Sequence, residues 1–361
     1  MDSRIEGILS EFNFEGNIIN CKQFGEGHIN RTYLIETDTN KKYILQKINE
    51  KTFANIDNLM SNMSAVCEFL EKKSSDPRTY MHIVKTKDGK TYIKNEEGAW
   101  RITDYIENTV CLQSVENTDE FLESAIGFGK FQNMLSDFPV EKLHETIVNF
   151  HNTPNRYAQL EESIKKDVVG RVKEVQKEID YILSKKEEAS ILQRMRDTGE
   201  LPSRVTHNDT KLNNVLLDEK THKAICVIDL DTVMPGLAAY DFGDSIRFGA
   251  ATAAEDEKDL NKVHFDIKLY EIFVKGFVGE CKDLTEKEIE TLPLGAKTIT
   301  IEQAVRFLKD YIDGDTYYTT HYDGQNLDRT RTQIKLIQEM DENWDDMKKI
   351  IDKYNPHKIG K

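Results

Sequence analysis

The 361-residue chain has little that would tie it to a membrane, a disulfide framework or a polyanion. No apolar run approaches the roughly 20 residues that a membrane-spanning helix needs. The first residues, MDSRIEGILSEFNF, are acidic and amphipathic rather than basic and then apolar, so no export signal is expected. The five cysteines, Cys21, Cys67, Cys111, Cys226 and Cys281, are odd in number and too scattered for a metal site, which fits reduced thiols in a reducing interior. Positive charge is in deficit: 49 Lys and Arg against 64 Asp and Glu leave a formal net charge of -15. That balance argues against nonspecific nucleic-acid or anionic-membrane partners. Internal repeats and low-complexity linkers are missing as well, so the length is expected to fold as one two-lobed unit with ample core.

What is present concentrates between Arg204 and Thr232. HNDTKLNN, residues 207–214, matches without a gap the catalytic-loop form in which an aspartate two residues after a histidine is followed five residues later by an asparagine. Asp209 is the expected catalytic base beside an accepting hydroxyl, and Asn214 the expected metal ligand. Lys211 would place a cation beside the transferring phosphoryl group, where negative charge has to be stabilised. Arg204 to Thr206 and Val215 to Leu217 read as short strands holding this loop. Twenty residues after Asp209, an apolar run from Ala224 to Ile228 ends in Asp229, a strand-end carboxylate suited to Mg2+. These residue types at these spacings suit in-line phosphoryl transfer from a magnesium nucleotide such as ATP.

The chain also holds a literal DFG at Asp241 to Gly243, the string that binds metal in protein kinases. It lies 32 residues after Asp209 and follows a turn-like Pro235-Gly236, whereas Asp229 directly ends a strand. Asp229 is therefore the expected metal ligand, and Asp241 a structural residue bracing the catalytic loop. His207, with apolar neighbours at a strand end, is expected to be a buried orienting residue.

A lid over the phosphates should come early in the chain, on a strand pair. FGEGHINRTYLIE, 24–36, has Gly25 and Gly27 for close backbone approach to phosphate oxygens; RTYLIE, a DTN turn and KKYILQKIN then read as a hairpin. The second strand should present a side chain to the phosphates. Gln46 or Lys47 fills that place according to register, because one step along a strand switches faces. Asn55 to Lys73 has helical spacing, and its Glu68 is expected to be solvated. WRITDYIEN, 100–108, alternates as a strand and then loses the pattern, marking a hinge where adenine would be read by backbone groups of Asp104 and Ile106. Helical periodicity returns at 118–134, 262–279, 298–312 and 329–354, and the charge-rich stretch 156–198 reads as a solvated helical pair. The expected fold is α+β, with a small mainly β nucleotide-binding lobe over 1–110 and a larger mainly helical catalytic and substrate-binding lobe over 111–361.

In order along the chain, GEGHIN, YILQKIN, ITDYIE, HNDTKLNN, VIDLD and AYDFGD resemble the aminoglycoside phosphotransferase and choline kinase-like superfamily, which implies a two-lobed protein-kinase-like fold. Within it, GHIN, THNDTKLNN, IDLDTVMPG and RFLKDYIDGDTYY resemble the bacterial N-acetylhexosamine 1-kinases, over about residues 20–335. The resemblance implies that Asp209 is the base and touches the acceptor, and that Asn214 and Asp229 hold Mg2+. Gly25, Gly27, His28, Ile29 and Asn30 would cover the phosphates of ATP, and Arg306 and Tyr317 would bind the sugar. It further implies transfer to the anomeric hydroxyl of N-acetylglucosamine or N-acetylgalactosamine, in the cytoplasm. From the residues alone Arg306 could equally be solvated, since Val305, Phe307, Leu308 and Ile312 of its amphipathic helix suit core packing. Two departures stand out: the glycine common after the loop histidine is Asn208 here, and in one of the two registers the usual basic residue of the third strand is Gln46. The alternatives are another small hydroxyl acceptor (an aminoglycoside, choline or homoserine) or a nucleotide-binding pseudokinase scaffold. Intact Asp209, Asn214 and Asp229 count against the scaffold, and the lack of a terminal APE counts against a protein kinase. Nothing in the sequence specifies the preferred epimer, the triphosphate or the oligomeric state.

Overall fold

The computed structural model describes residues 3–25, 30–115 and 117–359, arranged as two compact units. The first comprises Met1–Cys111, Asp137–Val148 and Leu216–Pro235; the second comprises Leu112–Ser136, Asn149–Val215 and Gly236–Lys361. The architecture is α+β, with a small antiparallel-sheet N-terminal region and a larger helical C-terminal part.

In the first unit the strands Ile18–Gln23, Arg31–Thr37, Lys42–Lys47, Gly98–Asp104 and Ile83–Val84 follow one another across an antiparallel sheet, and Ile93–Asn95 also pairs with Gly98–Asp104. The hairpin between the second and third strands turns at Asn40, whose φ of 61° is a left-handed conformation that asparagine tolerates well. Strand alternation sends Ile35, Tyr43, Leu45, Trp100 and Ile102 to one face, where they pack with Ile8, Leu9 and Phe12 from the N-terminal helical segment. The helix Ile56–Lys73 turns Leu59, Met60, Met63, Val66 and Leu70 inward, and Asn55 caps it by accepting the Asn58 N–H. Glu68 on this helix is exposed. Gly98–Asp104 is buried along both faces up to Asp104, including Arg101 in its middle. A second small sheet joins Thr109–Cys111 to Val215–Asp218, with Val110 opposite Leu217, and then to Ala224–Val227.

The second unit is built around the helix Glu286–Ile312, far longer than the 298–312 periodicity suggests. Its start carries a capping box between Thr285 and Glu288, and it runs through Pro293. The proline and the TLPLGAKTIT stretch hide this half from propensity, and burial of nearly every face obscures its periodicity. The 329–354 region divides at Asn343 into Gln325–Glu342 and Trp344–Tyr354. The charge-rich 156–198 region holds Thr153–Lys166, then Gln176–Ser184, Lys186–Ala189 and Ile191–Asp197. It is more than a solvated pair, because Tyr157, Leu160, Ile179 and Ile182 join Ile301, Val305 and Leu308 in one core.

The DFG string is accounted for by packing. It lies inside the helix Ala238–Gly249. Phe242 is fully buried against the rings of Tyr270, Phe273 and Phe277. Gly243 lets the helix approach the central one so closely that an added Cβ would stand 2.4 Å from the carbonyl oxygen of Gly295. A backbone atom cannot give way as a side chain does, so Gly243→Ala is expected to destabilise the fold by about 1–3 kcal/mol. Urea denaturation checks this, and an unchanged midpoint would refute the close crossing.

Among the described residues no helix is long and apolar enough to cross a membrane. None of the five cysteines is joined in a disulfide. Burial pushes the thiol of Cys67 up to about 12, which keeps it unreactive.

Candidate active site

The catalytic-loop residues sit on backbone fixed from below by two carboxylates of the helix Ala238–Gly249. Asp241 accepts the His207 N–H at 2.8 Å and the Asn208 N–H at 2.7 Å, one on each carboxylate oxygen. Asp244 accepts the Thr210 N–H at 2.9 Å, and the Thr210 hydroxyl donates back to the Asp241 carbonyl at 2.6 Å. Thus the loop is clamped at successive residues around Asp209 while the Asp209 side chain stays partly exposed. Burial pushes the Asp241 carboxyl up to about 6, against the pull of His207 and the two donated N–H groups. His207 itself is fully buried, edge-on to Phe128 and Phe131, and its Nδ1 accepts the Asp209 N–H at 3.3 Å.

Asn208 has φ 64°, the left-handed region where glycine is at ease and asparagine is tolerated. Asparagine can thus hold a backbone conformation that otherwise favours glycine. Lys211 Nζ stands 3.0 Å from Asp209 Oδ1. Burial opposes the charge on Lys211, but Asp209 and Asp244 outweigh it and hold the amine above the ordinary lysine range, so the cation persists at neutral pH. Asn214 donates through Nδ2 to the Asp209 carbonyl at 2.8 Å, which fixes the orientation of its amide. A pocket of about 170 Å³ opens beside this loop, lined by Thr210, Lys211, Ser245, Phe248, Phe121 and Ser124 among others.

In the first unit, Gly25 has φ 75° with open space around it, while Gly27, His28 and Ile29 lie outside the described residues. Register places Gln46 opposite Arg101 and Lys47 opposite Trp100. Gln46 consequently shares a face with Arg101 and bonds to it, whereas Lys47 lies on the other face with its ammonium 5.5 Å from the Trp100 ring centre. Asn30 donates to Asp231 at 2.6 Å. At the hinge, the Asp104 N–H donates to the His82 carbonyl and the Ile106 carbonyl accepts the Thr109 hydroxyl. Asp229 follows the strand Ala224–Val227 with φ 61° and ψ 59°, capping the short turn Leu230–Thr232.

The model of the phosphotransferase enzyme family, abbreviated APH, matches residues 20–266, more than half of the chain. The chain belongs to this family. Among solved structures it is similar to an aminoglycoside phosphotransferase from Alicyclobacillus acidocaldarius, at 10% identity, 96% of each chain and a TM-score of 0.64. It is also similar to an amicoumacin kinase in complex with AMP-PNP and Ca2+, at 13% identity, 92% of this chain, 93% of that one and a TM-score of 0.62. A choline kinase from Streptococcus pneumoniae matches at 14% identity, 94% and 97% of the two chains and a TM-score of 0.55. These likenesses establish the two-lobed protein-kinase-like fold.

Carboxylate and amide oxygens, the donor types that Asp229 and Asn214 carry, are in general hard ligands of the kind Mg2+ takes. Among the described residues no group of three or more His, Cys, Asp or Glu could hold an ion. Few protein ligands are what Mg2+ asks for, since it keeps waters and takes the rest of its shell from substrate phosphates.

Around Arg306 the second unit gathers a polar cluster that periodicity could not show. The Arg306 guanidinium lies 5.5 Å from the Phe150 ring centre and 5.7 Å from that of Tyr318, and donates to Gln303 at 3.2 Å, so it is not a freely solvated arginine. One turn earlier on the same helix, buried Glu302 accepts the Thr153 hydroxyl and pairs with His151 Nδ1, both at 2.9 Å. Burial works against the charge of Glu302, yet His151, Arg306 and Arg156 together hold its carboxyl below the ordinary glutamate range. Tyr317 is 71% exposed and packs edge-on against Tyr318. Sequence reading missed Arg101, Asp231, His151 and Glu302 as site-forming residues. The one legible signal was a charged residue, Arg101, inside an apolar alternating strand.

Proposed function

We propose that this phosphotransferase is a sugar 1-kinase, moving the γ-phosphoryl group of ATP to the anomeric hydroxyl of N-acetylglucosamine or N-acetylgalactosamine in the cytoplasm. The observation that carries the acceptor is the run THNDTKLNN with IDLDTVMPG and RFLKDYIDGDTYY in one chain. Supporting it, Arg306 is immobilised between aromatic rings beside the exposed Tyr317, an arrangement suited to a small polar ring bearing hydroxyls and an amide. A neighbour of the same fold solved with AMP-PNP supports ATP as donor.

Asp209 orients the anomeric hydroxyl and takes its proton as the oxygen attacks the γ-phosphorus. The bond from that phosphorus to the bridging β,γ-oxygen breaks, and ADP leaves. The sugar C1–O bond is untouched, so anomeric configuration is retained. Lys211 stabilises charge on the transferring group. Asn214 and Asp229 would hold Mg2+, which neutralises phosphate charge when bound. Asn30 and the glycine-bearing segment with Gly25 serve the phosphates, and the Ile106 N–H is the hinge donor to adenine.

Coupled phosphorylation of both N-acetylhexosamines, with phosphorus NMR on the product, tests the acceptor. Phosphate on O1 is expected, and phosphate on O6 or inactivity on both sugars would overturn this reading. An aminoglycoside and choline belong in the same assay, because solved relatives of the same fold bear those names. Arg306→Met is expected to raise the KM for the sugar about tenfold or more, with the KM for ATP little changed.

A further inference from the structure

We propose that Arg101 is a positioning residue of the nucleotide site, acting through Asp231 on the turn that carries Asp229 and on Asn30. The inference rests on the reading that the first unit binds a magnesium nucleotide. The third strand offers Gln46 on the relevant face, and Lys47 is committed to the opposite one. Gln46 instead serves as a clamp: its Oε1 accepts from Arg101 Nε at 3.0 Å and from Nη2 at 2.7 Å, while its Nε2 donates to Thr32. The remaining arm of the guanidinium, Nη1, stands 2.5 Å from Asp231 Oδ1 and 3.3 Å from the Met63 sulfur. The Asp231 contact is ionic in distance but off the hydrogen-bonding line, since Oδ1 has no hydrogen-bond partner. On its other oxygen Asp231 accepts from Asn30, whose own Oδ1 accepts the Asn49 N–H at 3.0 Å.

The side chains of Arg101 and Asp231 are only 1% and 5% exposed. A buried ion pair of this kind is a poor source of stability, because removing two charges from water costs about what their attraction returns. What it supplies is position. Asp229 stands two residues before Asp231 in a left-handed conformation that a residue with a Cβ adopts at some cost, so its surroundings must hold it there. Arg101 fixes the chain just beyond Asp229 by gripping Asp231, and through Asp231 it also fixes Asn30 at the end of the glycine-bearing segment. One guanidinium thereby sets both the proposed metal carboxylate and Asn30. Arginine suits this better than lysine, because its planar fork engages Gln46 and Asp231 at once.

The test is nucleotide binding by calorimetry, with ADP alone and with MgADP, on the full chain and on Arg101→Met. The variant is expected to bind MgADP on the order of tenfold more weakly, and to raise the KM for ATP while leaving the sugar KM unchanged. Its preference for MgADP over ADP should shrink, a change that loss of general stability would not produce. Unchanged MgADP affinity in a folded Arg101→Met overturns the inference and leaves the kinase reading intact; a wild-type chain that binds no nucleotide overturns both. If Arg101→Met does not fold, Asp231→Asn keeps the shape and removes the charge that Arg101 grips. The same loss is expected there, and unchanged MgADP affinity overturns the inference.

Discussion

Asp209→Asn is expected to lower kcat by about two to four orders of magnitude while leaving the fold intact. Asparagine keeps the shape of the side chain but can neither take the acceptor's proton nor hold the hydroxyl as a charged acceptor does. The loop should survive because its backbone is held by Asp241 and Asp244, not by the Asp209 carboxylate. That carboxylate is partly exposed and pairs with the flexible Lys211 ammonium, so its loss should change stability by no more than about 0.5–1 kcal/mol. Steady-state kinetics with thermal unfolding on the same preparation separate the two effects. A kcat within a few-fold of wild type would remove Asp209 from the role of base.

The second large effect is on stability and lies at Asp241. Asp241→Ala leaves the His207 and Asn208 N–H groups without acceptors in a buried place, each at about 1–3 kcal/mol. The sum approaches much of the 5–15 kcal/mol or so that holds a domain together. The variant is therefore expected to unfold at markedly lower urea and to be inactive, because Asp209 is next in sequence to Asn208.

The wild-type carboxyl adds a pH signature. Its folded value is raised to about 6 from an ordinary 3.8. A carboxyl raised on folding contributes stability that is complete below the ordinary value and is lost as pH rises through about 6. Activity should run the other way. Protonation places an O–H on one of the two oxygens that accept loop N–H groups, so kcat should fall on the acid side with a midpoint near 6. Hydrogen exchange of the His207 and Asn208 amides against pH checks this, and constant protection from pH 5 to 8 would refute it.

Much of the chemistry could be read along the chain because it is local. Asp209, Lys211 and Asn214 sit within one loop, so the candidate residues for base, cation and metal ligand lie within six positions of one another. The bracing role of Asp241 in the DFG string was also legible, from its distance to Asp209, although the packing of its neighbours was not. Only packing shows that Phe242 fills a ring cluster and that Gly243 admits a backbone carbonyl. Long-range partners left no trace. Arg101 and Asp231 lie 130 residues apart in the chain, and no periodicity links them. Likewise, the first half of Glu286–Ile312 was hidden because a helix buried on nearly all sides loses its alternation of apolar and polar faces, and because Pro293 argues locally against it.

The phosphotransferase class and the α+β order of strands before helices were legible in the chain, since each depends on residues close in sequence. Whether Gln46 or Lys47 shares a face with the buried arginine was decided only by the tertiary structure, because strand register is set by pairing with Trp100 and Arg101 from a distant segment. The same holds for what grips the loop. Asp241 could be suspected of bracing it, but two hydrogen bonds spanning 33 and 34 residues exist only once the helix Ala238–Gly249 has packed beneath it.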